Sequence, residues 1–307
     1  MNIKYALVCL ICLFLINSCG DPSIVTTNES YEPKIVIDAK LVAGQPVDHI
    51  YISQNFPVTT NLQRKSVIPD VARTTVSITD IESGIVYPLS FHEAPTDDKR
   101  FQNYYWEYTG NSLKIECGKS YRLDVEAPIN GKMLSASATT TVPPAGFKIL
   151  NQNTYSLAYR ERNENDDIEM FELDVQRSPG ATFYLSVIEA QVHDVTNYIY
   201  DNPYQNIEPE DVADDADWFI YNWVQNISPE PGVTKIKYEW YNMNFYADYR
   251  VILYAVDINY QHFLQTFDGV QDDTGNYHEP IFHIEGDGIG VFGSMIADTT
   301  SFTITRN

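Results

Sequence analysis

Short runs of Val, Ile, Thr and Tyr that alternate with polar residues recur from residue 34 to the end of the chain and predict a mainly β fold. Two further signals organise it. Asn130-Gly131 between two such runs is the strongest short hairpin signal. Val142-Pro143-Pro144-Ala145-Gly146 breaks any strand or helix and marks a boundary. Together they place an N-terminal β-sandwich of immunoglobulin or transthyretin type at 34–143 and a second β-rich domain, with one or two short helices, at 144–307. The 22 Tyr, 14 Phe and 4 Trp agree, since aromatic rings suit a pleated, half-buried surface.

In chain order, residues 1–18 read as an export signal: Lys4, then an unbroken apolar run from Tyr5 to Ile16. That run is short of the roughly 20 residues a spanning helix needs. Ile16-Asn17-Ser18-Cys19 resembles a bacterial lipobox, in which the cysteine is acylated and becomes the new N-terminus. An ordinary cleavage site would carry an A-x-A pattern instead. Residues 19–33 are polar, with Pro22 and Pro33, and read as a tether.

Seven strands are expected next: KIVIDAKLV, DHIYISQNF, RTTVSITD, IVYPLSF, YYWEYTG, KSYRLDVEAP and NGKMLSASATTTV. A polar loop with Pro57 and Pro69 and the charged run 94–103 interrupt them. Beyond the break, 147–166 reads as a loose stretch, followed by strands at DIEMFELDVQ and ATFYLSVIEAQV. An insertion at about 194–235 holds an acidic run (208–217) and an aromatic run, WFIYNWV. Val212, Ala216, Phe219, Ile220 and Trp223 fit a helical face, and WFIYNWV fits a strand equally. KIKYEWYNMNF and YRVILYAVDI are strands. Tyr260, Phe263, Leu264 and Phe267 then form one helical stripe, capped by Asp257 or Asn259 and ended by Gly269. PIFHIEGDGIGVFG and SFTITRN are closing strands.

Charge bounds the partners. The chain has 20 Lys and Arg against 42 Asp and Glu; removing residues 1–18 takes away one lysine and no acid, leaving a net charge of −23. That balance argues against nucleic acid and against adhesion to anionic headgroups. Cys9 and Cys12 leave with the signal and Cys19 goes to lipid, so Cys117 alone remains and no intrachain disulfide is expected. Cys117 reads as a structural residue at a turn before a strand.

Catalytic signals are thin. G-x-S-x-G, H-E-x-x-H and P-loop motifs are absent. Gly288-Ile289-Gly290-Val291-Phe292-Gly293 matches the dinucleotide fingerprint in form only. That fingerprint needs a following helix and an acid about 20 residues on, whereas 14 residues remain and read as a strand. The glycines read instead as sites of tight turning and close packing. His278, Glu279, His283, Glu285 and Asp287 crowd together without a standard metal spacing. Glu208, Glu210, Asp211, Asp214, Asp215 and Asp217 lack the regular spacing of a calcium loop and read as a solvated acidic face. No catalytic residue, cofactor or metal is assigned. The aromatic insertion is the candidate binding stretch, with Tyr204, Trp218, Tyr221 and Trp223 as ligand-contacting residues.

The order of features resembles a family. Pro33-Lys34-Ile35-Val36-Ile37 opens the sandwich, and a V-x-x-A-x-V-x-I run appears in looser form from Val67 to Ile78. Gly118-Lys119-Ser120-Tyr121 starts a strand and Thr141-Val142-Pro143-Pro144 ends the domain. Tyr260-Gln261-His262-Phe263-Leu264 precedes the glycine motif that runs from Pro280 to Gly293. This resembles the Bacteroidetes outer-membrane lipoproteins grouped as domain-of-unknown-function family 4249. The usual Ser-Asn pair ahead of the glycines is Glu285-Gly286 here. The resemblance implies an outer-membrane location and genes often placed beside TonB-dependent receptors. It implies no activity and carries over no catalytic residue.

The leading functional expectation is therefore an outer-membrane-anchored lipoprotein, held by its N-terminal lipid, that serves as accessory binding or assembly partner of a TonB-dependent β-barrel receptor. The alternative is a free-standing surface binder of glycan or peptide through its aromatic insertion. A hydrolase built on paired carboxylates is the third reading. Lipidation generates the first test. Cys19→Ala removes the thiol that forms the thioether, and each buried methylene is worth about 0.8 kcal/mol of anchoring. Wild type should take up a fatty-acid analogue and fractionate with membrane, and Cys19→Ala should do neither.

Overall fold

In the computed structural model, residues 31–57, 69–93, 104–205, 207–267 and 280–307 are described. The export signal, Cys19, most of the tether, Gly269, His278 and Glu279 lie outside them.

The first half follows its alternation. β1 (Ile35–Val42), β2 (Tyr51–Gln54), β3 (Thr75–Asp80), β4 (Val86–Pro88), β5 (Ser90–Glu93), β6 (Tyr104–Glu107), β7 (Ser120–Ile129) and β8 (Lys132–Thr141) cover all seven expected runs. IVYPLSF divides because β4 pairs with β3 while β5 turns away to pair with β6. The Asn130-Gly131 turn closes the β7–β8 hairpin with both residues at positive φ, 50° and 79°, the twist two-residue hairpins favour.

The second half departs more. β9 (Lys148–Gln152) and β10 (Ser156–Ala158) lie in the stretch expected to be loose. Each buries a single side chain, Gln152 or Leu157, so neither shows an apolar alternation. β11 (Phe171–Gln176) and β12 (Tyr184–Ala190) follow. The acidic run holds only one helical turn, α1 (Val212–Asp215), and the aromatic run is strand β13 (Phe219–Val224). β14 (Val233–Tyr238), β15 (Asp248–Val256), α2 (Ile258–Phe267), β16 (Glu285–Gly286) and β17 (Gly288–Thr305) complete the order. β17 is one strand of 18 residues where two were expected.

Residues 33–307 form one compact unit, and the sheets do not divide at 143–144. A 7-stranded sheet runs β13-β12-β15-β17-β1-β2, with β10 also beside β17. The first strand therefore lies parallel to the last, Ile35 opposite Gly288 and Val42 opposite Met295. A 5-stranded sheet runs β16-β8-β7-β3-β4, so β16 extends the N-terminal hairpin. β14-β11-β9 form a third sheet, and β5-β6 a fourth, tied to the β2 region by the Ile50–Trp106 bridge. A Pro-Pro break shows where the chain turns; it carries no information on which sheet the next strand joins.

The main core lies between these layers. Ile35, Ile37, Ala39 and Leu41 point inward from β1 and share one cluster with Val76, Ile78, Leu123, Val125, Val251, Leu253 and Phe302. Each large side chain so buried contributes roughly 1.5–3 kcal/mol. The opposite face of the 7-stranded sheet carries a smaller cluster, Phe183, Leu185, Val256 and Met295, with Tyr260 and Leu264 of α2 packed on it.

α2 is held at its start. Asp257 is its N-cap: its Oδ1 accepts from Tyr260 N at 3.0 Å and its carbonyl accepts from Gln261 N at 3.0 Å. The Thr140 hydroxyl donates to Asp257 Oδ2 at 2.5 Å and lies 2.6 Å from Ser294 Oγ. Asn259 Nδ2 donates to the carbonyls of Thr139 (2.7 Å) and Phe292 (3.0 Å). Thus β8, α2 and β17 meet at one buried polar junction. Burial pushes the Asp257 carboxyl above its ordinary range, opposed by the Thr140 hydroxyl and by backbone N–H groups. Loss of the cap together with the Thr140–Asp257 hydrogen bond should make Asp257→Ala cost about 2–3 kcal/mol. Asp257→Asn keeps a capping oxygen and should cost clearly less; urea unfolding of the two variants measures the difference.

Candidate functional site

The strand register builds a groove on the face that carries α2. On β13, Phe219, Tyr221 and Trp223 share one face, opposite Glu189, Val187 and Leu185 of β12. Leu185 lies opposite Tyr254 of β15, which lies opposite Ala297 of β17, and Val42 of β1 lies opposite Met295. α2 covers only part of this face. Gly293 permits the approach, since a Cβ there would lie 2.8 Å from Tyr260 Cβ and 2.9 Å from Asp257 Oδ1. Between α2 and β13 the face stays open as a cavity of about 600 Å³. Leu185, Val187, Tyr254 and Met295 line it with Tyr260 and Leu264 from α2, Tyr221 and Trp223 from β13, and Lys40 and Val42 from β1.

This lining is apolar with polar tips. Burial, with Asp38 and then Tyr221 and Tyr254 nearby, pushes the Tyr260 phenol well above its ordinary range. Tyr254 is raised by burial and by Tyr221, and Tyr221 by burial and Glu189. All three therefore stay protonated and able to donate hydrogen bonds at neutral pH. Burial raises Asp38, opposed by Lys40. At the far end Arg250 Nε donates to Glu189 Oε2 at 2.9 Å. Aromatic faces with a few phenol and amine donors can hold a sugar ring or the side chains of a peptide.

The expected ligand residues divide. Tyr221, 58% exposed, and Trp223, 37% exposed, lie in the groove. Trp218 does not line it: its ring stacks on His193 at 4.8 Å and 17° and packs against the main core. Tyr204, 71% exposed, rests on Trp240 and Tyr241, at 5.9 and 5.1 Å, outside the groove. The period-two alternation of a strand joins 221 with 223 and leaves Trp218, just ahead of it, out of the set. Tyr254, Tyr260, Lys40, Leu185 and Met295 also line it and come from five other elements. One signal for them exists in sequence: β15 is apolar at Ile252 and Tyr254 as well as at Val251 and Leu253, as a strand covered on both faces requires.

Among the described residues no three His, Cys, Asp or Glu side chains gather to hold a metal ion. His283 meets His262 of α2 instead of Glu285 or Asp287, with Nε2 2.9 Å from Nδ1 and the rings stacked at 5.1 Å. Asp287 Oδ2 accepts from Ser135 N at 3.2 Å. Glu208, Glu210, Asp211, Asp214 and Asp215 are exposed, while Val212 and Ala216 bury their underside. Cys117 is a free, exposed thiol in the turn before β7. The glycine motif runs straight into β17 with no following helix, so it is no dinucleotide site. Gly290, at φ +107°, is required because a Cβ would sit on the Ile37 carbonyl oxygen.

The fold is thus mainly β, with an open groove lined by aromatic side chains between α2 and β13. Its family is shown by sequence. The model described as "Domain of unknown function (DUF4249)" matches residues 21–299, and the chain belongs to that family. No curated protein matches it. Among solved structures, one from work on host cell surface retention of a 1.5-MDa bacterial ice-binding adhesin aligns at 10% identity and a TM-score of 0.20. That alignment covers 90% of this chain and 65% of the other, so the chain spans about two thirds of that structure's length. The FN1-FN3 domains of chicken CNTN1 align at 12% identity and a TM-score of 0.18, over 90% of this chain and 68% of the other. At these TM-scores neither likeness informs fold or function.

The histidine pair generates a pH prediction. Burial, and then His262 beside it, hold the His283 imidazole below its ordinary 6.5, opposed by Asp257. The unfolded chain therefore binds the proton more readily, and the folded state loses stability as pH falls below about 6.5. The melting temperature should drop between about pH 7.5 and pH 5.5, and His283→Gln should flatten that slope.

Proposed function

We propose that this protein is a lipid-anchored, non-catalytic binding protein of the outer membrane, and that the groove between α2 and β13 is where it contacts its ligand. One observation carries the reading. Tyr221, Trp223, Tyr254 and Tyr260 converge on one open cavity from a strand edge, a sheet interior and a helix. Rings fixed on regular elements lose little freedom on binding, which favours a preformed site. Acylation at Cys19 would hold the protein at the membrane through the 19–33 tether. We read β3, β4, β7 and β8 as one layer of the sandwich and β1 and β2, with β17 from the other end of the chain, as its facing layer, so that it is not confined to 34–143. Partnership with a TonB-dependent receptor rests on the family resemblance, and the ligand would then be a segment of that receptor or of its cargo.

Calorimetry of the intact chain against glycan and peptide panels tests the groove. One class should bind, and Trp223→Ala or Tyr254→Ala should weaken it by about tenfold or more, at least 1.4 kcal/mol. Tyr204→Ala should leave binding unchanged. A ligand held equally well by Trp223→Ala and Tyr254→Ala sinks the groove. Mild-detergent pull-down should co-purify a β-barrel receptor; recovery of the lipoprotein alone in every growth condition removes the receptor from the reading.

A further inference from the structure

Among the described residues, β13 is the terminal strand of the 7-stranded sheet, paired on one side only, with β12. The direction of its free hydrogen-bonding groups follows from its neighbours. Ala190 N donates to the Trp218 carbonyl at 2.7 Å, so the Ala190–Trp218 pair is a bonded one. Bonded and non-bonded pairs alternate along an antiparallel ladder. Residues 220, 222 and 224 therefore bond toward β12, and Phe219, Tyr221 and Trp223 direct their N–H and C=O groups outward. The β12–β15 side agrees, since Val256 N donates to the Phe183 carbonyl and so assigns the odd residues of β12 to β15. Two of these three residues, Tyr221 and Trp223, also line the groove.

Exposed edges attract further strands, and proteins usually guard them with charge, proline or shortness. Several other edges here are guarded. β14 carries Lys235 and Lys237, β9 carries Lys148, β4 contains Pro88, and β2 has 4 residues. β13, Phe-Ile-Tyr-Asn-Trp-Val, has no charge and no proline, and none of its residues is fully buried. The acidic run that ends at Asp217, one residue before Trp218, supplies a negative field at the start of this strand. A chain with net charge −22 is repelled by its own copies and by other acidic segments.

From the free edge, the aromatic face and the adjoining acids, we propose that β13 takes up an extended, cationic segment of a partner protein as an added strand. Main-chain groups of Phe219, Tyr221 and Trp223 would bond the segment. Tyr221 and Trp223 would pack on its alternate side chains, and Asp214, Asp215 and Asp217 would attract its lysines or arginines. This is the strand-addition mode of peptide recognition. It rests on the groove being the ligand contact and names the class of ligand.

The test uses the full chain in detergent micelles and a fluorescein-labelled peptide alternating lysine with valine, read by anisotropy. The peptide should bind, its glutamate–valine counterpart should not, and salt at about 0.5 M should weaken binding, since exposed charges are then screened. Tyr221→Ala removes the ring and keeps the N–H; Tyr221→Pro also removes an N–H that the sheet does not use. Tyr221→Pro should bind about tenfold more weakly than Tyr221→Ala. In wild type, amide exchange at Phe219, Tyr221 and Trp223 should slow when peptide is bound, a readout independent of any variant's folding. Equal affinity of the two Tyr221 variants, or unprotected amides in the complex, overturns strand addition. If Trp223→Ala still abolishes binding in that case, the groove reading survives alone. Binding of a glycan but not of the peptide, again lost in Trp223→Ala, has the same meaning. A dimer dispersed by Tyr221→Pro would assign the edge to a second copy and overturn the proposal.

Discussion

The pairing of β17 with strands from both ends of the chain is the constraint on which the rest depends. Its 18 residues bond to β15 along one edge and to β1 and β10 along the other. A parallel pair between the first and last strands closes the longest loop the chain can make, and such closure costs entropy that only extensive burial offsets. The offset is visible in β1, where Ile35, Ile37, Ala39 and Leu41 are at most 1% exposed. The close approach also sets a steric demand. The Ile37 carbonyl leaves no room for a side chain at residue 290, so the glycine motif there is a packing requirement.

Because β17 is central, its sheet is covered on both faces, and unequally. The inner face meets the 5-stranded sheet across a continuous core. Among the described residues, the helix on the outer face is α2, of 10 residues. A helix of that length spans about 15 Å, and neighbouring strands lie about 4.8 Å apart. A sheet this wide therefore extends past the helix. The groove is that uncovered remainder, and its apolar floor is the continuation of the contact that seats α2. Binding capacity and helix docking thus share a surface: Tyr260 and Leu264 serve the small cluster on one side and the cavity on the other.

The polar junction of Thr140, Asp257 and Ser294 fixes where the helix begins. Apolar packing is non-directional and would tolerate α2 at several angles. A capped N-terminus whose carboxylate is also bonded from β8 selects one of them. The stacked His262 and His283 pair adds a second attachment near the C-terminal half of α2, to the segment that leads into β16.

Sequence alone determined much of the local structure. Alternation marked the strands before residue 143 most clearly at β1, β3, β7 and β8, each of which has one buried and one more exposed face. The 3.6-residue stripe and Asp257 marked α2, and Asn130-Gly131 marked its hairpin, because caps and positive-φ turns are chosen by adjacent residues. Family membership was also legible, since it rests on motifs that survive without geometry. Only the tertiary structure decided the sheets. Neither the parallel pairing of β1 with β17, nor the union of β16 with β8, nor the continuity of β17 leaves a mark in a local window. β9 and β10 were invisible for the same reason: each buries one side chain, and backbone pairing supplies the rest. The site divides along this line. Tyr221 and Trp223 could be named from an aromatic run, while Trp218 and Tyr204 were indistinguishable from them until register and ring stacking placed them elsewhere. Tyr254, Tyr260 and Lys40 join the groove only because β15, α2 and β1, far apart in the chain, are brought to one face by the strand between them.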